Sequence, residues 1–528
     1  MSATTAGKFP EEKYGGSLSP ETQKYSKRKE CLESRIFSIP HSNQDRSEYL
    51  HDRDRIIYSR AFRRLASKTQ VVTASGGITS DHLRNRLTHS LEVMQIASSI
   101  ALVVNRNSNK ESGKNGRELY IIYKNKKEIN LDLIQAIALG HDIGHTAFGH
   151  AGEKALFNFL FYYPRNNHKQ NGKFHHTFQG LKVCCFLEKA YKPDFFGLNL
   201  TIATLDGIFK HSMLKEEERK RYKDMFDSYH KVFWVENDNS DSSAYFDGSV
   251  YKKLTEYLFE YVSPVTCEGI IVAIADEIAQ LCHDIEDIRR LGEFEAVREF
   301  YEVVKNEICN LNLIEKDREV YNEFEKALNE VNEVKNNANR NIVKLERFYI
   351  KLMINLSISI VSKVIKNLRN MDKEPQMKLL KEKYFGEFGE IKKCRNKLIL
   401  KDINVPLINS LIEIRKEYIK TLMSLPDVAK WDIKGKDLYD ELSEILYKAL
   451  NHKKKNTIDG DSFTIFNRES RSDILKSYKA GEKYQEKIRK EIEGIPIKFA
   501  VLDYLAGMTD SFTIKEYESL TFKRVELR

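Results

Sequence analysis

The chain has 528 residues, 41% of them hydrophobic and 31% charged, with a formal net charge of +9. That length suits one large core or two to three domains, and that composition reads as globular rather than fibrous or disordered. No uninterrupted apolar run approaches the roughly 18 residues of a membrane span, so no bilayer-crossing segment and no membrane partner are expected.

Residues 1–40 are polar and irregular and are read as a partly ordered arm. Their start, MSATTAGKFPEEKYGG, lacks the basic-then-apolar pattern of a signal peptide, which points to the cytoplasm. Residues 41–292 alternate apolar helical stretches with short loops and hold nearly all the informative histidines. Residues 293–451 are Glu, Lys, Leu, Ile and Asn at helical spacing, a helical extension. Residues 452–528 begin with a loop or small two-stranded excursion (HKKKNTIDGDSFTIFNRESRS) and close with a helical segment that completes the core. Ten prolines and sparse alternation make the chain mostly α, with at most minor β excursions. Seven cysteines without a C-x-x-C read as reduced, buried thiols. The basic charge suits an anionic substrate or nucleic acid, although runs such as Lys453-Lys454-Lys455 read as solvated loop.

Three helices carry the chemistry. In RNRLTHSLEVMQIASSIALVV, Leu87, Leu91, Met94, Ala97, Ala101 and Val104 form one apolar stripe, and Val93, Ile96 and Ile100 form a second that His89 extends. A helix apolar on most sides is buried, so His89 is a buried histidine, either a satisfied core residue or a ligand. In LDLIQAIALGHDIGH, a buried face made by Leu131, Ile134, Ile137 and Ala138 ends in His141. Its neighbour Asp142 would be a costly buried charge unless paired or metal-bound. His145, His150 and Glu153 follow within eleven residues of Asp142, with Gly140 and Gly144 loosening the backbone around the His-Asp pair. The third helix, SPVTCEGIIVAIADEIAQLCHDIEDIRRLG, is read as starting at Ser263-Pro264 and stopping at Gly292. Its polar stripe Asp276, Gln280, His283 and Asp287 faces either solvent or a wet cavity.

Together, His89, His141-Asp142 and Asp276 reproduce the H…HD…D pattern of the HD superfamily of metal-dependent phosphohydrolases. The stretches RDRIIYSRAFRRLASKTQVV, RLTHSLEV, HDIGHTAFGHAGE, GLNLTIATLDGIFKH, ADEIAQLCHDIED and DYLAGMTD resemble, in family order from about residue 53 to 510, the deoxyguanosinetriphosphate triphosphohydrolases. Residues 293–490 match weakly. The resemblance implies a mostly helical fold and cleavage of a dNTP, dGTP first, into deoxynucleoside and inorganic triphosphate. It makes His89, His141, Asp142 and Asp276 metal ligands, His150 the catalytic histidine with Glu153 its carboxylate partner, and His145 a second active-site histidine. It places Arg86 on phosphate, Gln70 on the sugar, and His176 and Gln280 at the substrate. Two positions depart from the family: Thr177 stands where Asn or Glu is usual, and Gln280 where a tyrosine is common. A homo-oligomer is implied, and a nucleotide or single-stranded nucleic-acid effector is compatible with the basic charge.

The residue types fit that chemistry. A ligand set of imidazoles and carboxylates suits a divalent ion, with Mn, Fe, Co or Zn favoured over Mg. Such an ion neutralises a polyphosphate and activates water. A histidine oriented by a carboxylate serves as general acid or base, and an arginine gives bidentate phosphate contacts. Lys68 and Arg64, in the basic FRRLASK segment, either assist or lie at the surface. Two other readings stand beside the first: an HD phosphohydrolase for another nucleotide or nucleic-acid ends, and a nucleotide-sensing binding protein without turnover.

Overall fold

In the computed structural model, residues 31–37, 46–70, 84–111, 128–162, 174–188, 197–230, 246–369, 426–452 and 495–521 are described, less 213, 215, 262, 291, 293, 310–312, 314 and 334–337. Among them the chain is helical, and the only β pairings are isolated bridges between Phe37 and Phe246 and between Thr69 and Asn85. The excursion expected at 452–472 lies, beyond His452, outside the described residues.

The helices start where side chains satisfy free backbone N–H groups. Ser47 caps α1 (Glu48–Ile57) through Leu50, and Ser59 caps α2 (Arg60–Arg64) through Phe62. Helix α3 spans Arg86–Glu111. Asn130 caps α4 (Leu131–Gly140), and α5 spans Gly149–Tyr162. His175 caps α6 (His176–Lys182), and Thr201 caps α7 (Ile202–Lys210). Beyond α8 (Glu216–His230) and α9 (Gly248–Glu260), α10 runs from Cys267 to Arg290. The sequence reading began α10 at Ser263-Pro264; its first turn is instead closed by the Thr266 hydroxyl, which accepts from the Gly269 N–H at 3.1 Å. The helix ends before Gly292, as read, and φ of 90° there favours glycine.

Helix α4 is the hub. It is buried from Leu133 to Gly140 except at Gln135, and it packs against α1, α3, α7 and α10. Its end therefore delivers His141 into the centre of the protein. Helix α3 buries Val93, Ile96, Ala97, Ile100, Ala101 and Val104, while Leu91 is exposed and Leu87 and Met94 are half-buried. The first stripe read from the sequence is thus only partly the inward one. By length and composition, Arg86–Asn107 would also pass as a membrane span. No uninterrupted apolar run marks it in the sequence, because His89, Ser90, Glu92 and Gln95 break up the apolar residues. Its inner face is part of the core against α4 and α10.

Helices α11 (Phe294–Cys309), α12 (Glu315–Glu333) and α13 (Ala338–Arg369) follow. Helices α12 and α13 pair lengthwise, and α13 lies across α3 and α10. Finally α14 (Pro426–His452), α15 (Ile495–Ala506) and α16 (Asp510–Thr521) form a second apolar cluster with α5. The described cysteines form no disulfide among themselves; Cys31, Cys184 and Cys185 are buried as expected, but Cys309 is exposed.

Candidate metal centre

Helices α3, α4 and α10 bring His89, His141, Asp142 and Asp276 together at one point, all nearly inaccessible to solvent. His89 Nε2 lies 2.9 Å from Asp276 Oδ1, and His141 Nε2 lies 3.5 Å from Asp142 Oδ1 and 3.6 Å from Asp276 Oδ1. His141 Nδ1 is 2.7 Å from the Ala138 carbonyl, a contact that needs the proton on Nδ1. That leaves Nε2 as the lone-pair nitrogen, buried among carboxylates and without a hydrogen-bond partner. A buried imidazole nitrogen of this kind is costly unless something fills its lone pair. The donor set, two imidazoles and two carboxylates around an unsatisfied nitrogen, fits a divalent transition metal; His89, His141 and Asp142 each offer an atom within 4.8 Å of the others.

The electrostatics agree. Burial works against a charge on His141, but Asp142 and Asp276 outweigh it and push its pKa up to about 9. Burial likewise opposes ionisation of Asp142 and Asp276, yet the neighbouring histidines, with Arg86 for Asp142, hold both carboxyls well below their usual range. The centre is built to hold positive charge.

Residues the sequence singled out only as part of a polar stripe, or not at all, complete the surroundings. His283 Nδ1 lies 3.1 Å from His89 Nδ1, and its Nε2 meets the Glu92 carboxylate. This chain fixes the His89 tautomer: with Nδ1–H donating to His283, Nε2 is left to face the centre. The polar stripe on α10 therefore faces inward, for Asp276, His283 and Asp287 are all buried. Its period was visible in the sequence; Glu92, one charge among many on α3, carried no signal. His211, at the end of α7, packs its ring edge-on to His141 at 4.9 Å.

Beside the centre stands a stack of rings. His145 stacks on His176 at 3.8 Å, and His176 on His175 at 4.4 Å. Gly144 makes this possible, since a Cβ there would lie 2.0 Å from the His176 carbonyl oxygen and 2.1 Å from the Gly180 nitrogen. The glycine permits close backbone approach, a more specific task than loosening the chain. Glu153 Oε1 accepts from the His176 backbone N–H at 3.0 Å and lies 3.2 Å from its Nδ1. His150 Nδ1 is 3.5 Å from Glu153 Oε2, but its side chain is 75% exposed. Of the two histidines that share Glu153, His176 is thus the inner one and His150 sits at the rim. Burial, then the charges of Arg86 and His176, hold His145 well below the usual imidazole range, while His176 and the hydrogen bond from His150 outweigh burial to lower Glu153.

Arg86 reaches the centre directly, its Nη1 3.2 Å from Asp142 Oδ2, and its Nε has no partner. Gln70 is buried with Oε1 unpartnered. Gln280 donates from Nε2 to Asp276 Oδ1 at 3.1 Å, so its amide is turned toward a candidate ligand. Lys68 is buried, not a surface charge; its ammonium donates to the carbonyls of His145 and Ala506. Burial and the nearby Arg64 and Arg86 lower its pKa to about 7. Asp510 clasps two site loops from the far end of the chain, accepting from the Phe148 N–H at 3.0 Å and the Thr69 N–H at 3.0 Å.

Comparison with known proteins agrees with this geometry. The HD domain model matches residues 86–281. Deoxyguanosinetriphosphate triphosphohydrolase-like proteins are similar over part of the chain. That of Wolinella succinogenes is 38% identical over 247 residues, 47% of this chain and 50% of the relative. Those of Rickettsia bellii (37% over 242 residues; 46% and 47%) and Rhodopseudomonas palustris (38% over 260; 49% and 52%) are alike. Residues 86–281 thus match an HD domain, and about half of the chain is similar to dGTPase-like proteins. The matched part spans about half the length of these curated relatives. The HD domain match takes in all four candidate metal ligands and the ring stack, and it ends one residue after Gln280.

Proposed function

We propose that the chain is a metal-dependent phosphohydrolase that cleaves a dNTP, dGTP first, into deoxynucleoside and inorganic triphosphate. The observation that carries this reading is the buried, unpartnered Nε2 of His141 facing Asp142 and Asp276, with Arg86 and the Glu153–His176 pair beside it.

His89, His141, Asp142 and Asp276 would hold the ion. When bound, a divalent ion supplies Lewis acidity toward the phosphate and lowers the pKa of water. The protein's own residues do the rest. Arg86, whose Nε is without an acceptor, is placed to offer its guanidinium to phosphate oxygens. His145 has Nδ1 unpartnered and is held neutral, so it can exchange a hydrogen bond with substrate without adding charge. Glu153 orients the histidine that moves the proton: His150 by family resemblance, with His176 sharing the same carboxylate from inside. Gln70 offers an unpartnered amide oxygen that can accept from a sugar hydroxyl. Homo-oligomerisation and a nucleotide or single-stranded nucleic-acid effector accompany the proposal as what the family resemblance and basic charge imply, and a cytoplasmic setting remains part of it as the expectation from the sequence.

The test is incubation of the pure protein with each dNTP, GTP and divalent ions, followed by separation of the inorganic products. Triphosphate released from dGTP is expected. Pyrophosphate or orthophosphate would shift the reading to another HD phosphohydrolase, and nucleotide binding without any product to a sensor.

A further inference from the structure

A small cavity, open at its mouth, lies between α2 and α6. Its polar lining is Arg60, Arg64, Lys68, Gln179, Glu188 and Asp503, and Ile143 and Val183 are among its apolar walls. Gln179 is 2% exposed, and neither its amide oxygen nor its amide nitrogen has a hydrogen-bond partner. A buried primary amide left unpaired on both atoms is strongly unfavourable. The cavity is the open space that can hold its partner.

The charges lining the cavity define what that partner is. Both acids are already engaged. Glu188 accepts from the backbone N–H groups of Arg60 at 3.0 Å and Ala61 at 3.1 Å. Asp503 is taken up by the Lys182 ammonium and by the Tyr229 hydroxyl at 2.5 Å. Two of the cations, Arg64 and Lys68, are less fully matched. Arg64 makes no hydrogen bond to a described acceptor, and the opposite charge that acts on it is that of Glu188. Lys68 has only the two carbonyls, of His145 and Ala506. An anion that accepts from a guanidinium and an ammonium, and both accepts from and donates to an amide, satisfies all of them. A hydrogen phosphate ion has that combination of charge, tetrahedral acceptors and one O–H.

We propose that this cavity is an oxyanion site for a small phosphate-like ligand, held by Arg64, Lys68 and Gln179 and separate from the metal centre. Lys68 links the two: the ammonium that would meet the anion also holds the His145 carbonyl, in the loop that follows Asp142. Occupancy therefore bears on how firmly that loop is held. The site does not depend on the dNTP-cleavage reading, and binding can be measured with no turnover.

The experiment uses the full chain stripped of metal by chelation, titrated calorimetrically with orthophosphate at constant ionic strength, with tripolyphosphate as a second arm. Saturable binding of one orthophosphate per chain is expected. Arg64→Gln and Gln179→Met should each weaken it at least tenfold, whereas His141→Ala, in the metal centre, should bind as the parent does. Tripolyphosphate is expected to bind no more tightly than orthophosphate; clearly tighter binding would overturn a small site. No saturable orthophosphate binding, or its loss in His141→Ala alone, would overturn the proposal. Should either cavity variant unfold, a tungstate soak of parent crystals decides: an anomalous peak between Arg64 and Gln179 supports the site, and water there with tungstate only at Arg86 rejects it.

Discussion

Two groups of histidines lie side by side in this protein and behave in opposite ways. In the first, His89 and His141 face Asp142 and Asp276, and the carboxylates raise His141 to about 9 against the effect of burial. In the second, rings crowd other rings. Burial, with His176 next in weight for His175 and His141 for His211, lowers both to about 3. Both groups are buried or nearly so, and His211 touches each, 4.9 Å from His141 and 5.6 Å from His176. Burial alone therefore does not set the charge of an imidazole. Burial, helped by neighbouring imidazoles, keeps a ring neutral and able to trade a hydrogen bond, whereas facing carboxylates override burial and create a place for a cation.

That contrast can be broken most severely in the first group. His141→Ala or Asp142→Ala should abolish bound metal and hydrolysis while helical content persists, because either change deletes a ligand but little apolar packing. Metal analysis and circular dichroism read this, and full occupancy in both variants would remove the centre from the mechanism. At the two histidines that share Glu153 the expected loss is in rate alone. His150→Ala and His176→Ala should retain metal and each lose about 10²-fold or more in kcat, the usual scale for a general acid or base. A variant that turns over at the parent rate takes that histidine out of the relay.

Smaller effects sharpen the picture. His283→Ala and Glu92→Gln leave every candidate ligand in place but free the His89 ring, so metal affinity should fall roughly 10- to 100-fold. Competition with a chromogenic chelator measures this, and unchanged affinity would show that the His89–His283 contact has no bearing on the ion.

Gln280→Tyr, which restores the residue common in the family, removes the amide bonded to Asp276. It should shift kcat/KM between dGTP, the other dNTPs and GTP by severalfold, toward tighter selectivity; identical ratios before and after would show that position 280 does not discriminate.

The smallest effect concerns stability. Burial, reinforced by Asp284 and Glu286 against the pull of Arg84, pushes Asp287 up to about 7. An unfolded aspartate releases its proton near pH 4, so between about 4 and 7 the folded chain binds more protons and loses stability as pH rises. Asp287→Asn should therefore stabilise the protein by roughly 1–3 kcal/mol at pH 8 and hardly at all at pH 4. Equal melting shifts at both values would contradict this.

What the sequence determined by itself was the helical class and the three helices that carry the histidines and carboxylates; their reading as an H…HD…D ligand set came from the family resemblance. Those features were legible because helical period and local spacing lie in the chain itself: His141 at the end of an apolar face has nowhere to point but inward. The partners of these residues were not legible, because they arrive from elsewhere. Glu92 on α3 meets His283 on α10, so two residues 191 positions apart settle a tautomer. Asp510 clasps the turns at Phe148 and Thr69 across 362 and 441 positions. His150, prominent in the sequence for its place after the His-Asp pair, stands at the rim, while His176, followed by the atypical Thr177, is drawn onto His145 through the bare Cα of Gly144. Only tertiary packing could decide these. Hydrogen bonds and charge interactions act over a few ångströms of space, and sequence spacing fixes such distances within one helix but not between two.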